Sequence, residues 1–175
     1  NKNLVKTKGQ NKKEKEGREH ENTYKDLIDE LQKVDNGIHG NSSLHVACEL
    51  GRKKDVLTLI QHNVNINAQN KVERTPLHIA CTLEDDSIIR VLLENKAEIN
   101  VKDIDGETPL YVATYNYNVK GVRALLEYNT KVVNMKDCMG ETPLHCASRH
   151  QDEAIIKILL NNKANVTEKD IKDIT

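Results

Sequence analysis

The sequence repeats itself about every 33 residues, and this periodicity restricts the possible folds more than any other feature. Four segments share one pattern: a hydroxyl residue, proline or serine, leucine, histidine or tyrosine, a variable residue and alanine. They are residues 42–48, 75–81, 108–114 and 142–148. Their leucines follow one another at steps of 33, 33 and 34 residues. Periods of roughly 20 to 50 residues are typical of stacked small units, so the chain is predicted to form a solenoid rather than one large core.

The residue types in each unit predict two helices. A threonine before a proline, as at Thr75 and Pro76, is typical of a helix start. The hydroxyl caps the first turn, and proline lacks an amide hydrogen that this turn cannot use. Aliphatic bands such as Ile88–Leu93 and Val122–Leu126 predict the second helix. One helix pair is too small to bury such a band, so neighbouring units are expected to pack on one another.

The period of 33 and the T-P-L-H-x-A motif resemble the ankyrin repeat over about residues 40 to 175. This resemblance implies an all-α solenoid of stacked helix-turn-helix units connected by β-hairpin-like loops. The predicted repeats are 40–70, 71–103, 104–137 and 138–170, and residues 171–175 are the start of a truncated fifth repeat.

Two different segments precede the repeats. Residues 1–20 carry a charge of +4 and almost no apolar side chain, which predicts a disordered basic tail. Residues 21–39 are predicted to contain an N-terminal capping helix, because apolar residues recur there at spacings of three and four. These residues are Tyr24, Leu27, Ile28, Leu31 and Val34.

The repeats depart from the family pattern at several turns. Glu73 stands where the ankyrin loop has glycine, and Lys96 and Lys163 replace the glycine of the usual Gly-Ala pair. The third repeat also gains one residue around 130–133. Because glycine adopts a positive φ angle far more easily than other residues, these departures are expected to weaken the turns.

Composition and motifs exclude several classes of function. The net charge is −1, and the residues after the tail carry −5, which argues against a nucleic-acid-binding protein. The apolar runs are much shorter than the roughly 20 residues that span a bilayer, so no membrane span is predicted. No phosphate-binding glycine loop, serine-hydrolase motif or zinc-protease motif occurs. We therefore expect no catalysis, no cofactor, no metal and no small-molecule substrate.

The histidines and cysteines are interpreted as structural. His45, His78 and His145 stand one repeat apart, about 10 Å if helices pack at normal distances, which is too far for one metal ion. In the ankyrin family this histidine makes hydrogen bonds in the turn. The 4 cysteines form no C-x-x-C pair, and the chain opens with no signal-peptide pattern. A reducing compartment, cytoplasmic or nuclear, is therefore expected.

The ankyrin resemblance implies a protein partner, of unknown identity, bound in a concave groove. The family's contact positions fall at the end of each first helix and in the loop before each T-P-L-H motif. At the helices they are Glu49, Leu50, Thr82, Leu83, Tyr115, Asn116, Tyr117, Arg149 and His150; in the loops they are Val72, Arg74, Ile104, Glu107, Met139 and Glu141. Tyr115 and Tyr117 are the strongest candidates, because aromatic residues dominate interface hot spots. The alternative is that both tyrosines only fill the inner face where a glycine is absent.

Three asparagines follow isoleucine or valine in the links between repeats: Asn67, Asn100 and Asn134. Each is predicted to hydrogen-bond its own turn. The segment that ends at Asn100 also resembles ankyrin sites that accept asparaginyl hydroxylation, which makes Asn100 a candidate modification site.

These features predict a protein-interaction module that acts as an adaptor, scaffold or inhibitor. One alternative is a structural spacer, part of a longer ankyrin tract in a channel, toxin or multidomain protein. Another is nucleic-acid binding through the basic tail, which requires a steep loss of binding with salt.

Overall fold

The part of the chain that the structure describes is helical. The structure, a computed structural model, describes residues 23–35 and 37–172. The helices are α1 (23–35), α2 (Ser43–Glu49), α3 (Lys53–Gln61), α4 (Pro76–Ala80), α5 (Ser87–Glu94), α6 (Pro109–Tyr115), α7 (Val119–Tyr128), η1 (Thr130–Asn134, a 3-10 helix), α8 (Pro143–Arg149) and α9 (Glu153–Asn161). The all-α prediction is confirmed for these residues. The predicted tail (1–20) and the end of the predicted fifth repeat (173–175) lie outside them.

The helices stack in two layers. In the first layer, α2, α4, α6 and α8 contact one another in order, and α3, α5, α7 and α9 do the same in the second. Each first-layer helix also packs on the second helix of its own repeat. One fully buried leucine recurs in every second helix: Leu59, Leu92, Leu125 and Leu159. The sequence period therefore reappears as a ladder of side chains buried between neighbouring repeats.

Each first helix begins as its residue types predict. Thr75 is extended, with φ −90° and ψ 165°, and Pro76 is the first helical residue. Thr108 and Thr142 precede prolines in the same way, and their hydroxyl oxygens accept the amides of Tyr111 and His145. These caps satisfy amides that have no partner inside the helix.

The histidine of the motif connects consecutive repeats. Nδ1 of His78 accepts the amide of Thr75 at 3.0 Å. Because a carbonyl oxygen can only accept, Nε2 of His78 donates to the carbonyl of Glu107 in the next repeat, at 3.1 Å. His45 donates in the same way to the carbonyl of Arg74 at 2.8 Å. The prediction that these histidines make hydrogen bonds in the turn is confirmed for both.

The links between repeats fold back as hairpin-like loops. The amide of Asp103 donates to the carbonyl of Glu107 at 3.0 Å, and the amide of Gly106 closes the turn on the carbonyl of Asp103 at 2.9 Å. Neighbouring loops are joined by a bond from the Ile104 amide to the Val72 carbonyl at 3.1 Å. The hairpin-like loops are thus confirmed, although no residue within 23–35 or 37–172 is assigned to a strand.

The third repeat absorbs its extra residue in η1. After the second helices of the other repeats, Asn63, Lys96 and Lys163 have φ of 57°, 68° and 67°. In the third repeat the chain is extended at Asn129, with φ −156°, and then forms η1, whose two valines are buried. The added turn of 3-10 helix therefore keeps the apolar contacts of this link in place.

Helix α1 covers the first repeat. Leu31 is fully buried, and the ring of Tyr24 stacks on His62 with centroids 3.9 Å apart. The guanidinium of Arg52 donates to the carboxylate of Glu30 at 2.7 Å. Helix α1, which lies within the segment predicted to cap the repeats, therefore packs on both ends of α3.

The prediction of the apolar face of α1 was wrong at one residue, Val34. Val34 is 49% exposed, and Asp35 is buried in its place. The buried line of the helix follows Leu27, Leu31 and Asp35, each four residues after the last. Asp35 is accommodated because its Oδ2 accepts the amide of Asn41 at 3.3 Å, which fixes the chain as it enters the first repeat.

Replacing Lys96 with glycine is expected to raise the free energy of unfolding by about 0.5–1 kcal/mol. A side chain in the left-handed region costs about 1–2 kcal/mol, and glycine loses part of that gain through its larger entropy. Urea unfolding followed by circular dichroism measures the change. The control is Arg123→Gly, which removes an exposed charge inside α7 and is expected to lower stability by about 1 kcal/mol. A Lys96→Gly variant less stable than wild type would contradict the prediction.

The buried histidines are expected to make the protein less stable as the pH falls. Burial lowers the pKa of His78 to about 4, although the Glu107 carbonyl and Asp103 oppose this shift, and burial also lowers the pKa of His45. Since the unfolded state binds the proton first, stability is full above about pH 6.5 and is lost as the pH falls towards 4. From about pH 7.5 to about pH 5 the loss through His78 is about 2 kcal/mol. Urea titrations at both values test this, and a His78→Gln variant with an equally steep pH dependence would refute it.

Candidate functional site

Nine predicted contact residues lie at the ends of the first helices and in the turns that follow, and we call them the first-helix surface. They are Glu49, Leu50, Thr82, Leu83, Tyr115, Asn116, Tyr117, Arg149 and His150, and every one is exposed or half-buried. Because the first helices contact one another in order, these residues form a continuous row across the four repeats.

Two tyrosines and a histidine form an aromatic cluster on this surface. Tyr115 and Tyr117 belong to the third repeat, and each is 55% exposed. The ring of His150, from the fourth repeat, lies 5.3 Å from the ring of Tyr115 and 5.2 Å from that of Tyr117. The fold therefore brings together three of the sequence-predicted residues and leaves both tyrosine rings open to a partner.

Tyr117 is held in a strained backbone conformation. Its φ is 57°, and the equivalent residue of the first repeat is Gly51, with φ 67°. An L-residue in this region costs about 1–2 kcal/mol. The turn is nevertheless closed, with the Tyr117 amide donating to the carbonyl of Thr114 at 3.1 Å. Tyr117 thus occupies a glycine position, but its ring projects outward instead of filling the interior.

Asn118 fixes the position of Tyr117, and sequence reasoning missed it. The side chain is buried, and its Oδ1 accepts the amide of Gly121 at 2.7 Å, which caps α7. Its amide group donates to the carbonyls of Cys81 and Leu83 in the second repeat. An asparagine just before a helix is a common cap, and this signal was available in the sequence. Through Asn118, the turn that carries Tyr117 is tied to the neighbouring turn of the surface.

Two of the predicted loop residues are occupied by contacts within the chain. The guanidinium of Arg74 donates to Asp103 at 2.9 Å and to Glu107 at 3.1 Å. The Asp103 side chain is fully buried, so this pair is shielded from solvent on one side. Burial raises the pKa of Glu107, the charge of Asp103 adds to the increase, and Arg74 opposes it. Arg74 and Glu107 therefore join the second and third repeats.

A similar network joins the third and fourth repeats. The carboxylate of Glu141 accepts from both Arg149 and the hydroxyl of Tyr111, the latter at 2.9 Å. Burial raises the pKa of Tyr111, so its hydroxyl stays protonated and donates. Tyr111 stands where the other repeats have histidine, and its longer side chain reaches a carboxylate where His78 reaches a carbonyl. The charge of Arg149 is thus neutralised by Glu141.

The remaining loop residues form a second row, at the hairpin tips. Val72, Ile104 and Met139 are exposed, and the loops that carry them are joined edge to edge by backbone hydrogen bonds. Ile38 and Ile171 extend this row of exposed apolar residues at its two ends, which sequence reasoning missed. The hairpin tips offer apolar contact, whereas the first-helix surface offers aromatic rings.

The comparison with known families agrees with this geometry. A family model described as ankyrin repeats (3 copies) matches residues 17–103 and 77–170. The chain belongs to the ankyrin repeat family. No curated protein matches it. Ankyrin repeats are generally protein-interaction modules, and the family is typically non-catalytic.

Contrary to the prediction, the asparagines of the ankyrin links do not hydrogen-bond their own turns. Oδ1 of Asn67 accepts the amide of Glu98 at 2.9 Å, and Oδ1 of Asn134 accepts that of Asn165 at 2.8 Å, so both connect consecutive repeats. The prediction was wrong because the next repeat offers a free amide at this point. Asn100 is exposed, and its side chain makes no hydrogen bond to the residues described. Its hydroxylation stays a prediction.

The described residues of this ankyrin protein include several histidines, cysteines and acidic residues. No group of three or more His, Cys, Asp or Glu side chains within them could hold a metal ion. Burial raises the pKa of Cys48 to about 12 and that of Cys146 to about 11, so these thiols are inert at neutral pH. No helix among the same residues is both long and apolar enough to cross a membrane.

Replacing Gly121 with alanine is expected to lower the free energy of unfolding by about 1–3 kcal/mol. Alanine is favoured over glycine by about 1 kcal/mol in an ordinary helix. Here, however, a β-carbon would lie 2.4 Å from Nδ2 of Asn118 and 2.9 Å from Cδ1 of Ile89. Thermal unfolding measures the effect, and a stabilised variant would show that Asn118 does not fix this turn.

Proposed function

We propose that this ankyrin protein is an interaction module that binds a protein partner through the first-helix surface, with Tyr115, Tyr117 and His150 at its centre. The module acts as an adaptor, scaffold or inhibitor in the cytoplasm or nucleus and has no catalytic activity of its own. The cellular location is supported by the cysteines, none of which is in a disulfide.

The observation that carries the proposal is the exposure of two tyrosine rings, one at the end of α6 and one in the turn that follows it. Tyrosine supplies a large contact area with only two rotatable side-chain bonds, so little entropy is lost when it binds. The stacking on His150 and the bonds of Asn118 restrict the cluster further. A surface that is already ordered does not have to order itself on binding, which favours affinity.

The strain at Tyr117 supports the same function. Strained residues persist where the surrounding structure holds them in place, and they are concentrated at functional sites. A glycine would relieve the strain at this position, as it does at Gly51. The chain carries instead an aromatic residue that is 55% exposed and adds little to the core.

Charged residues are expected to contribute less than the aromatic cluster. Arg74, Glu107, Glu141 and Arg149 already satisfy one another or their neighbours. A partner that used these charges would first have to break these ion pairs. The exposed hairpin tips Val72, Ile104 and Met139 provide a second, apolar contact.

Replacing Tyr117 with glycine is expected to weaken partner binding about tenfold or more while raising stability by about 1 kcal/mol. The opposite signs separate binding from folding within one variant. Affinity capture from a cell lysate, quantified by mass spectrometry against wild type, measures the first effect, and thermal unfolding measures the second.

Tyr128→Ala is the matched control, because Tyr128 is 52% exposed but lies at the end of α7, in the second layer. Proteins that bind the first-helix surface are captured by this control and by wild type, and are lost with Tyr117→Gly and Tyr115→Ala. If no captured protein depends on either tyrosine, the structural spacer becomes the better account of the chain.

A further inference from the structure

A cleft lies at the edge of the first-helix surface, between the second and third repeats. It has a volume of about 170 Å³ and is lined by Glu84 of the second repeat and by Tyr117, Asn118, Val119 and Lys120 of the third. Both repeats have a neighbour on each side, so the cleft does not depend on either end of the stack. Pockets for small molecules usually measure about 300–1,000 Å³, so this cleft suits a single side chain of a protein partner.

The ring of Tyr117 is open towards this cleft. It stacks on His150 of the fourth repeat, with the ring centroids 5.2 Å apart and the ring planes at 23°. The second and fourth repeats lie on opposite sides of the third. The face of the ring that is turned away from His150 is therefore on the side of the cleft, and Tyr117 is 55% exposed. Because the face of an aromatic ring is electron-rich, it attracts a cation and repels an anion.

Glu84 supplies a free carboxylate at the cleft. The next two residues of the same turn are already engaged. Asp85 accepts the hydroxyl and the amide of Ser87, and Asp86 is paired with Arg90 at 2.7 Å. Glu84 is exposed and forms no ion pair with the residues described. A carboxylate that lines the same cleft as an open aromatic ring favours a cationic group that can contact both.

Asp85 keeps the neighbourhood of the cleft acidic. Its hydrogen bonds from Ser87 and the nearby charges of Lys120 and Lys53 lower its pKa, so this carboxyl is ionised at neutral pH. The charge of Lys120, which also lines the cleft, is therefore balanced by Asp85. The negative charge of Glu84 is left without a partner.

We propose that the cleft binds an arginine side chain from a basic segment of the protein partner. The guanidinium stacks on the open face of Tyr117 and donates hydrogen bonds to the carboxylate of Glu84. Arginine suits the cleft better than lysine, because its planar group stacks on an aromatic ring and offers two parallel donors to one carboxylate. The residues after the tail carry a charge of −5, which attracts such a segment. The inference rests on the proposed function and gives the chemistry of the partner that the first-helix surface binds.

Fluorescence anisotropy with the purified whole chain tests the inference. The probe is a short labelled peptide of arginine, glycine and serine, and two matched peptides carry lysine or glutamate in place of every arginine. The arginine peptide is expected to bind about fivefold or more tightly than the lysine peptide, because only arginine stacks on the ring and pairs with Glu84 through two donors. The glutamate peptide is expected not to bind.

Two variants locate the binding of the arginine peptide. Tyr117→Leu, which keeps a large apolar side chain but no aromatic ring, and Glu84→Gln are each expected to weaken it about fivefold to tenfold. The matched controls are Tyr128→Leu and Glu94→Gln, which remove an exposed ring and an exposed carboxylate from the second layer and are expected to bind as wild type does. Circular dichroism verifies that all variants are folded. An arginine peptide that binds no better than the glutamate peptide, or losses that are equal in the variants and the controls, would overturn the inference.

Capture from a cell lysate separates a failure of this inference from a failure of the proposed function. Proteins whose capture depends on Tyr117 are expected to be lost with Glu84→Gln and to be displaced by the arginine peptide. If they are retained by Glu84→Gln and are not displaced, the proposed function stands and the arginine assignment is wrong. If no captured protein depends on Tyr115 or Tyr117, the proposed function fails, and this inference fails with it.

Discussion

Burial of apolar side chains between neighbouring repeats is the interaction on which the rest of this structure depends. A single pair of helices leaves its aliphatic band in water, and only the next pair removes it. Leu59, Leu92, Leu125 and Leu159 show this directly, since each is fully buried in its repeat. Because every repeat packs on its neighbour, the ends of the first helices form one continuous surface.

Polar contacts at the joints set the register of the stack. His45 and His78 each cap their own helix and donate to a carbonyl of the next repeat, and Asn67 and Asn134 accept an amide from it. These groups are close to the core, where an unpaired donor or acceptor would cost free energy. A repeat that slipped along its neighbour would break all of them at once. Hydrophobic burial therefore provides most of the stability, and the polar contacts between repeats restrict the stack to one arrangement.

The departures from the ankyrin pattern divide into two kinds. Lys96 and Lys163 take glycine's backbone conformation and are exposed, so their strain is expected to cost stability. Tyr117 takes the same conformation but adds an exposed ring to a cluster with Tyr115 and His150. The extra residue of the third repeat is accommodated by η1 and leaves Asn100 without the bridge that Asn67 and Asn134 form. The strained backbone conformation thus coincides with a candidate binding feature at Tyr117 and with no such feature at Lys96 and Lys163.

The sequence by itself determined the all-α repeat fold, the starts of the first helices and the apolar bands, because these follow from local residue preferences and from a period that one unit cannot satisfy alone. It also indicated which positions face outward. Only the tertiary structure decided which of those positions are free of contacts within the chain and therefore open to a partner. Arg74 pairs with Glu107 of the next repeat, Tyr111 of the third repeat donates to Glu141 of the fourth, Asn67 bonds the next repeat instead of its own turn, and Asp35 replaces Val34 on the buried side of α1. Each of these outcomes depends on atoms about thirty residues away or on the tilt of one helix against another. The spacing of residues along the chain does not predict either of these.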